Sequence, residues 1–301
     1  MKNDFSAWLS AFRLRTLPLA FSCIITGSAL AALYNFTWEI SALALLTTLF
    51  LQVLSNLAND YGDTIHGADS AERRGPARTV QSGAISKEAM KTAIFACALL
   101  AFASGIFLLY VALDNFITIL LFILLGLTAI VAAIKYTAGS NPYGYKGLGD
   151  LFVFIFFGWV GVEGVFYLHT QSFSINGLLP ASVIGFLSVA VLNLNNMRDH
   201  ISDAKAGKKT MVVNMGFQNA KKYHTALIVM AFLCALAFSI IMWLDTGASL
   251  PFISLTVFVF LFKHLNKVWS TANPAELDSE LKKVALSTFV YALLFGLGIL
   301  L

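Results

Sequence analysis

The feature that most limits what this chain can fold into is a series of about nine apolar runs, each near the twenty residues that carry a helix across a bilayer. They fall at roughly 17–34, 40–60, 89–110, 113–134, 150–169, 176–196, 223–244, 249–268 and 282–301. Of the 301 residues 58% are hydrophobic and only 12% charged, too little charge to cover a soluble domain of this size. In hydrocarbon every backbone amide must be satisfied within its own segment, so the runs are expected to be α-helices. The ten-residue alternation of a membrane β-barrel is absent. The expected fold is therefore all-α and polytopic, a single transmembrane domain over residues 1–301 with the lipid bilayer as its surroundings.

Charge placement orients the runs. All 20 Lys and Arg residues lie in the N-terminal tail, in every second loop, or at the helix ends beside those loops. The intervening loops, around Asn35–Glu39, Asp114, Gln171–Asn176 and Asp245–Ser249, carry none. By the positive-inside rule the N-terminus is expected to be cytoplasmic and the C-terminus outside. The net charge of +4 is accounted for by loops facing anionic lipid, so it implies no nucleic-acid partner. Cys23, Cys97 and Cys234 all fall within apolar runs, where they read as small buried residues. The N-terminus carries Asp4 and does not resemble a cleavable signal, and Pro18 is well placed to open the first helix.

Two polar clusters interrupt this pattern. Asn56, Asn59, Asp60 and Asp63 close the second run, with Gly62 and Gly67 expected to end the helix and turn the chain toward Asp69. If helical, the four polar residues stand at i, i+3, i+4 and i+7, on one face. Asn195, Asn196, Arg198, Asp199 and Asp203 close the sixth run, and Asp199 and Asp203 at i, i+4 also share a face. An ionisable residue at membrane depth costs about 2.5–3.5 kcal/mol, and acids at a helix C-terminus meet the unfavourable end of its dipole. Two carboxylates about 4 Å apart repel by roughly 4 kcal/mol at an effective dielectric near 20. Grouped acids of this kind must hold protons or a cation.

Oxygen donors without Cys or His favour Mg²⁺, which prefers a few carboxylates completed by phosphate oxygens. That chemistry points to a diphosphate substrate. Asp60, Asp63, Asp69, Asp199 and Asp203 are the expected metal ligands. Arg73, Arg74 and Arg78 follow the first cluster and Lys208 and Lys209 the second, where Arg78 and Lys208 are the candidates for phosphate. Lys135 and Tyr136, ending the fourth run, face the same layer.

These residues resemble a known family. Asn59-Asp60-Tyr61-Gly62-Asp63 with Asp69, Arg78 and Ser82-Gly83 is similar to the first signature of the UbiA-type intramembrane aromatic prenyltransferases. Asp199-x-x-x-Asp203 with Gly207-Lys208-Lys209-Thr210 resembles the second. Gly67 stands where the general signature has its third acid, and Asp69 comes two residues late. That longer form, the Gly147–Phe154 run and Asn195-Asn196-Met197-Arg198-Asp199 resemble the 1,4-dihydroxy-2-naphthoate polyprenyltransferase branch. Arg13-Leu14-Arg15-Thr16-Leu17-Pro18 is similar to that branch's opening, with Leu14 in place of a proline, and Thr79 likewise replaces the proline after Arg78.

The resemblance implies a bacterial inner-membrane enzyme that binds a polyprenyl diphosphate through Mg²⁺ and both Asp motifs. The loops after the second and sixth helices would form a cytoplasmic cap. It implies Asn59, Asp63, Asp69, Asp199 and Asp203 as principal polar ligands, Asp60 as an adjacent acid, and dihydroxynaphthoate as the acceptor. Two alternatives remain open at this point: a sister enzyme using 4-hydroxybenzoate, haem or a chlorophyllide, and a membrane transporter, since polar groups in a bundle also mark transport paths. Glu163, the one acid in mid-run, must point inward and could line the acceptor's pocket. His66 and His200 sit beside the motifs as possible proton relays, while His169, His224 and His264 read as bystanders. Gly158 and its neighbours Gly161 and Gly164 read as allowing close helix packing.

Overall fold

A computed structural model describes residues 5–67 and 78–301, so Asp69, Arg73 and Arg74 lie outside the described residues. Among the described residues nine helices are long and apolar enough to cross a membrane, and there is no strand. In chain order they are α1 (Phe5–Ala32), α2 (Trp38–Ile65), α3 (Lys87–Ala112), α4 (Phe116–Lys135), α5 (Gly149–Thr170), α6 (Leu178–Lys205), α7 (Phe217–Thr246), α8 (Leu250–Ser270) and α9 (Pro274–Leu300).

α6 is the most buried, with α1, α5, α7 and α9 packed around it. α3 lies along α2, and α4 is almost wholly exposed, as an outermost helix facing lipid would be. Two helices are irregular. α1 is interrupted after Phe12 by a turn over Leu14–Thr16, entered through Arg13 at φ 49°, and resumes at Leu17 with Pro18 in its first turn. α5 passes through a π-helical stretch at Phe154–Val160, where Gly158 lets it press on α6: a Cβ there would lie 2.8 Å from the Ala181 carbonyl oxygen. Such stretches recur at functional sites, and this one lines the cavity described below.

The two motif-bearing helices run past the ends of their apolar stretches. α2 continues to Ile65 and α6 to Lys205, so both clusters ride on final helical turns. These turns are buried by the loops that return over them, which sustains helix where hydropathy has already fallen. Gly62 does not end α2, contrary to expectation. It sits inside the helix because a Cβ would meet the carbonyl carbon and oxygen of Thr137 at 2.6 Å. Gly67 does terminate the helix, at φ +66°.

At the opposite end of the bundle, Glu163 turns away from its neighbours Gly161 and Gly164 and accepts a hydrogen bond from the Ser174 N–H at 3.3 Å. The expectation that it lines an acceptor pocket is corrected: it braces the loop leading into α6. His169 has a similar structural role, accepting from the Thr37 N–H and meeting the Ser41 hydroxyl. His224 and His264 are more than bystanders. Their Nε2 atoms lie 2.9 Å apart, and His264 Nδ1 reaches Glu280 at 2.6 Å, a buried polar chain joining α7, α8 and α9.

Candidate active site

The helical register of α2 places Asp60 and Asp63 on the side covered by the returning segment 78–85, yet their surroundings differ. Asp63 is buried and engages three donors. Arg78 donates to Oδ2 at 2.6 Å, while Tyr145 and Lys208 donate to Oδ1 at 2.8 and 2.9 Å. Lys208 also lies 3.3 Å from Asp203 on α6. One ammonium therefore joins the two motifs across 145 residues of sequence. Its charge sits 4.7 Å from the centre of the Tyr145 ring, a cation–π contact. Burial alone would lower the Lys208 pKa, but the carboxylates of Asp63 and Asp203 reverse this and hold it above the usual lysine value.

Asp60 serves a different purpose. Its Oδ2 accepts from the backbone N–H and hydroxyl of Thr79 at 3.0 and 2.9 Å, and its Oδ1 from the Val80 N–H at 3.2 Å. All three bonds tether the returning segment to α2 and thereby set Arg78 against Asp63. In this arrangement Asp60 is a loop anchor, which departs from the metal-ligand expectation.

The remaining candidates divide the same way. Asn59 accepts from the Thr137 hydroxyl at 3.0 Å and lines the cavity. Asn56 also borders it, but its amide donates to the Phe12 carbonyl and Thr16 hydroxyl and so holds the N-terminal turn. On α6, Arg198 grips both oxygens of Asp199, through Nε at 2.9 Å and a terminal nitrogen at 2.6 Å. It donates as well to Asn195 at 2.8 Å and to Asp278 on α9. Asn196 is buried on the same turn. Lys135 is exposed and lies beside Gly139. His66 and His200 each bond a carbonyl of their own helix, at 2.8 and 2.7 Å.

Tyr145 carries no motif and is the residue that sequence reasoning missed. It belongs to the turn Tyr143–Lys146, which is pinned near the second motif by the Lys209 N–H donating to the Tyr145 carbonyl at 2.8 Å. Tyr136 is locked beside it. A Cβ on Gly144 or Gly149 would meet the Tyr136 ring at 2.9 and 3.0 Å, so both glycines make room for that side chain. Burial raises the pKa of Tyr136 well above the usual phenol value, with the charge of Asp150 adding to it, so Tyr136 stays neutral.

Beneath these groups lies a cavity of about 390 Å³. It is bordered by Asn59 and Tyr136 at the motif end and by Leu109 and Leu168 deeper in the bundle. α2 lines it from Ala44 to Asn59, about 22 Å of helix. Tyr143 and Phe152 stack on its wall with centroids 4.2 Å apart. The lining itself carries no charged side chain; the charged cluster adjoins its polar end at Tyr136, whose hydroxyl feels the charges of Asp63 and Asp203, an arrangement suited to a molecule with an anionic end and a long hydrocarbon body.

Among the described residues no three His, Cys, Asp or Glu side chains stand grouped as a ready-made metal cage. The donor set nonetheless fits a hard divalent cation. Asp63 and Asp203 come from different helices and already share one cationic centre, the Lys208 ammonium, through oxygen atoms alone.

The sequence profile of the UbiA prenyltransferase family matches residues 20–283. A 1,4-dihydroxy-2-naphthoate octaprenyltransferase from Haemophilus influenzae is 43% identical, covering 100% of this chain and 98% of its own. The protein of that name from Escherichia coli K12 is 40% identical, covering 98% and 95%. Among solved structures, a UbiA homolog from Aeropyrum pernix shares the fold with a TM-score of 0.66 at 17% identity, over 96% of this chain and 97% of that one. A homolog from Archaeoglobus fulgidus, solved with DMAPP and Mg²⁺, gives 0.58 at 18% identity, over 94% and 98%.

Proposed function

The chain belongs to the UbiA prenyltransferase family, and on that premise we propose that it transfers a polyprenyl group from a polyprenyl diphosphate to 1,4-dihydroxy-2-naphthoate, releasing diphosphate and CO₂ and giving a demethylmenaquinol. The observation that carries the reading is the Lys208 ammonium shared by Asp63 and Asp203, a cluster that adjoins an apolar cavity at Tyr136. Such a cluster suits a diphosphate and such an interior an isoprenoid. Family membership sets the transporter alternative aside. The choice of acceptor is supported by the names of relatives alignable over nearly the whole chain.

Asp63, Asp199 and Asp203 would hold Mg²⁺, with Asn59 beside them and Asp69 as the further ligand that the resemblance implies. A bound Mg²⁺ supplies Lewis-acid neutralisation of the leaving diphosphate. Arg78 and Lys208 would bind phosphate oxygens and take up charge as the C–O bond breaks. Lys208 is charged at neutral pH, as this role requires. Aromatic faces of Tyr143 and Phe152 line the space where an allylic cation would form, and apolar walls keep water from capturing it.

The acceptor's carboxylate-bearing ring carbon forms the new C–C bond to the prenyl C1. Loss of CO₂ then returns the electron pair to the ring and restores aromaticity, so no proton need be removed from that carbon. Dihydroxynaphthoate labelled in its carboxylate should release one labelled CO₂ for each prenyl group transferred, with little turnover of 4-hydroxybenzoate. A product that retains the carboxylate, or a preference for the benzoate, would assign the protein to a sister branch.

A further inference from the structure

We propose that Asp278, in the first turn of α9, is a positioning residue that sets how available Asp199 is to a divalent cation. The inference rests on the proposed metal-dependent transfer and deepens it. Asp199 is held at both oxygens by Arg198, 2.9 Å from Nε and 2.6 Å from a terminal nitrogen. A carboxylate gripped in this way has about half of its lone-pair sites engaged, and the guanidinium's positive charge opposes a dication beside it unless that charge is also drawn elsewhere. Asp278 provides that second pull: the other terminal nitrogen of Arg198 donates to its Oδ1.

The contrast in burial matters. The Arg198 side chain is 2% exposed and that of Asp199 5%, whereas that of Asp278 is 37% exposed. Asp278 is thus a rim residue that acts on the site through Arg198 rather than by touching substrate or metal. Charge bookkeeping gives the direction of its effect. Asp199, Arg198, Asp278 and the Arg15 that lies 3.9 Å from Asp278 together carry no net charge, and without the Asp278 carboxylate they carry one net positive charge. Removing the Asp278 charge should both tighten Arg198 on Asp199 and make the site less attractive to a dication.

The same residue joins the motifs by a second route. Arg15, in the N-terminal turn, lies 3.9 Å from the other oxygen of Asp278. Its neighbour Thr16 accepts hydrogen bonds from Asn56 and Gln52 of α2, both at 3.1 Å. The Arg-Thr pair of the opening segment thereby buckles the first motif to the second through the start of α9. An acid in the first turn also suits the helix dipole, so Asp278 occupies its place at little cost.

The test is direct binding of Mn²⁺, followed by the loss of its free EPR signal, to full-length purified protein without added diphosphate. Mg²⁺ titrations of prenyl transfer run alongside. Asp278→Asn should weaken Mn²⁺ binding on the order of fivefold and raise the Mg²⁺ needed for half-maximal rate similarly, as expected for one lost charge. The effect should be concentrated in the metal's concentration dependence rather than in the rate at saturating metal, and Asp278→Glu should restore most of it. Unchanged Mn²⁺ binding in Asp278→Asn would overturn the proposal. So would an equal loss of binding in Asp278→Asn and Asp278→Glu, because that would mark a packing role. If Asp278→Asn fails to fold, Arg15→Met, which leaves Asp278 less compensated, should tighten Mn²⁺ binding, and no tightening would refute the idea. A wild-type enzyme indifferent to Mg²⁺ would instead refute the metal-dependent reaction itself.

Discussion

At the scale of single residues, the two neighbouring acids of the first motif do different work. Asp63 meets the second half of the protein through Lys208, so Asp63→Ala, Asp199→Ala and Asp203→Ala should each lower transfer at least about a hundredfold while the protein still inserts and purifies. EDTA should silence the wild type and Mg²⁺ restore it; full activity in EDTA would remove the metal from the mechanism. Asp60→Ala, by contrast, strips three bonds from the returning segment. It should cost about 3 kcal/mol of stability, read by thermal unfolding in detergent, and lower turnover as Arg78 loses its seat, with the Mg²⁺ concentration for half-maximal rate little changed. A shifted Mg²⁺ requirement would return Asp60 to the ligand set. Lys208 adds a pH signature. Its pKa is raised in the folded protein, so its stabilisation is fully present below the ordinary lysine value of about 10.4 and is lost as pH climbs through the higher folded value. The melting-temperature difference between wild type and Lys208→Met should hold constant from about pH 6 to 9 and shrink in strong alkali. A difference that already falls near neutrality would mean the ammonium is not held by Asp63 and Asp203. Sequence could not separate Asp60 from Asp63, since both lie on one helical face and only the path of segment 78–85 decides which acid anchors it. Tyr145 was invisible for a related reason: an aromatic residue in a short turn has no periodicity, and its value comes from the Lys209 bond that draws the turn to the second motif.

At the scale of elements, hydropathy located the nine membrane-length helices found among the described residues but misplaced the functional ends of two. The apolar runs stop at about residues 60 and 196, whereas α2 and α6 continue to Ile65 and Lys205. The added turns are polar and are stabilised by what folds over them, an effect that a hydropathy window does not see. Gly62 shows the same limit. Read locally it ends a helix; in the fold it is the point where α2 touches the turn after α4. Gly62→Ala would drive a Cβ to 2.6 Å from the Thr137 backbone, and the strain should cost about 1–3 kcal/mol. Because Thr137 also donates to Asn59 and to the Ala58 carbonyl, activity should fall along with stability. A Gly62→Ala enzyme with wild-type melting and turnover would show that the contact between α2 and residue 137 is loose.

At the scale of the whole molecule, the site lies at one end of the bundle and the cavity leads inward from it. Which side of the membrane that end faces is expected from charge, and the positive-inside rule predicts the cytoplasmic side. Cationic loops alternate with loops free of Lys and Arg, and both Asp motifs sit on the cationic side. A polyprenyl diphosphate would present its anionic head to that side while its tail enters the apolar interior, so orientation and substrate access become one question. In a background lacking Cys23, Cys97 and Cys234, a cysteine placed at the exposed Ser82 should react with an impermeant thiol reagent only when the cytoplasmic face is open. One placed at the exposed Ala248, in the hairpin between α7 and α8, should react in intact cells. Five membrane-length helices, α3 to α7, separate the two positions, so the pair is expected on opposite faces. Labelling of the Ser82→Cys protein in intact cells would invert the topology. It would also require the diphosphate to reach the site from outside, and that would break the link between the cationic loops and a cytoplasmic substrate.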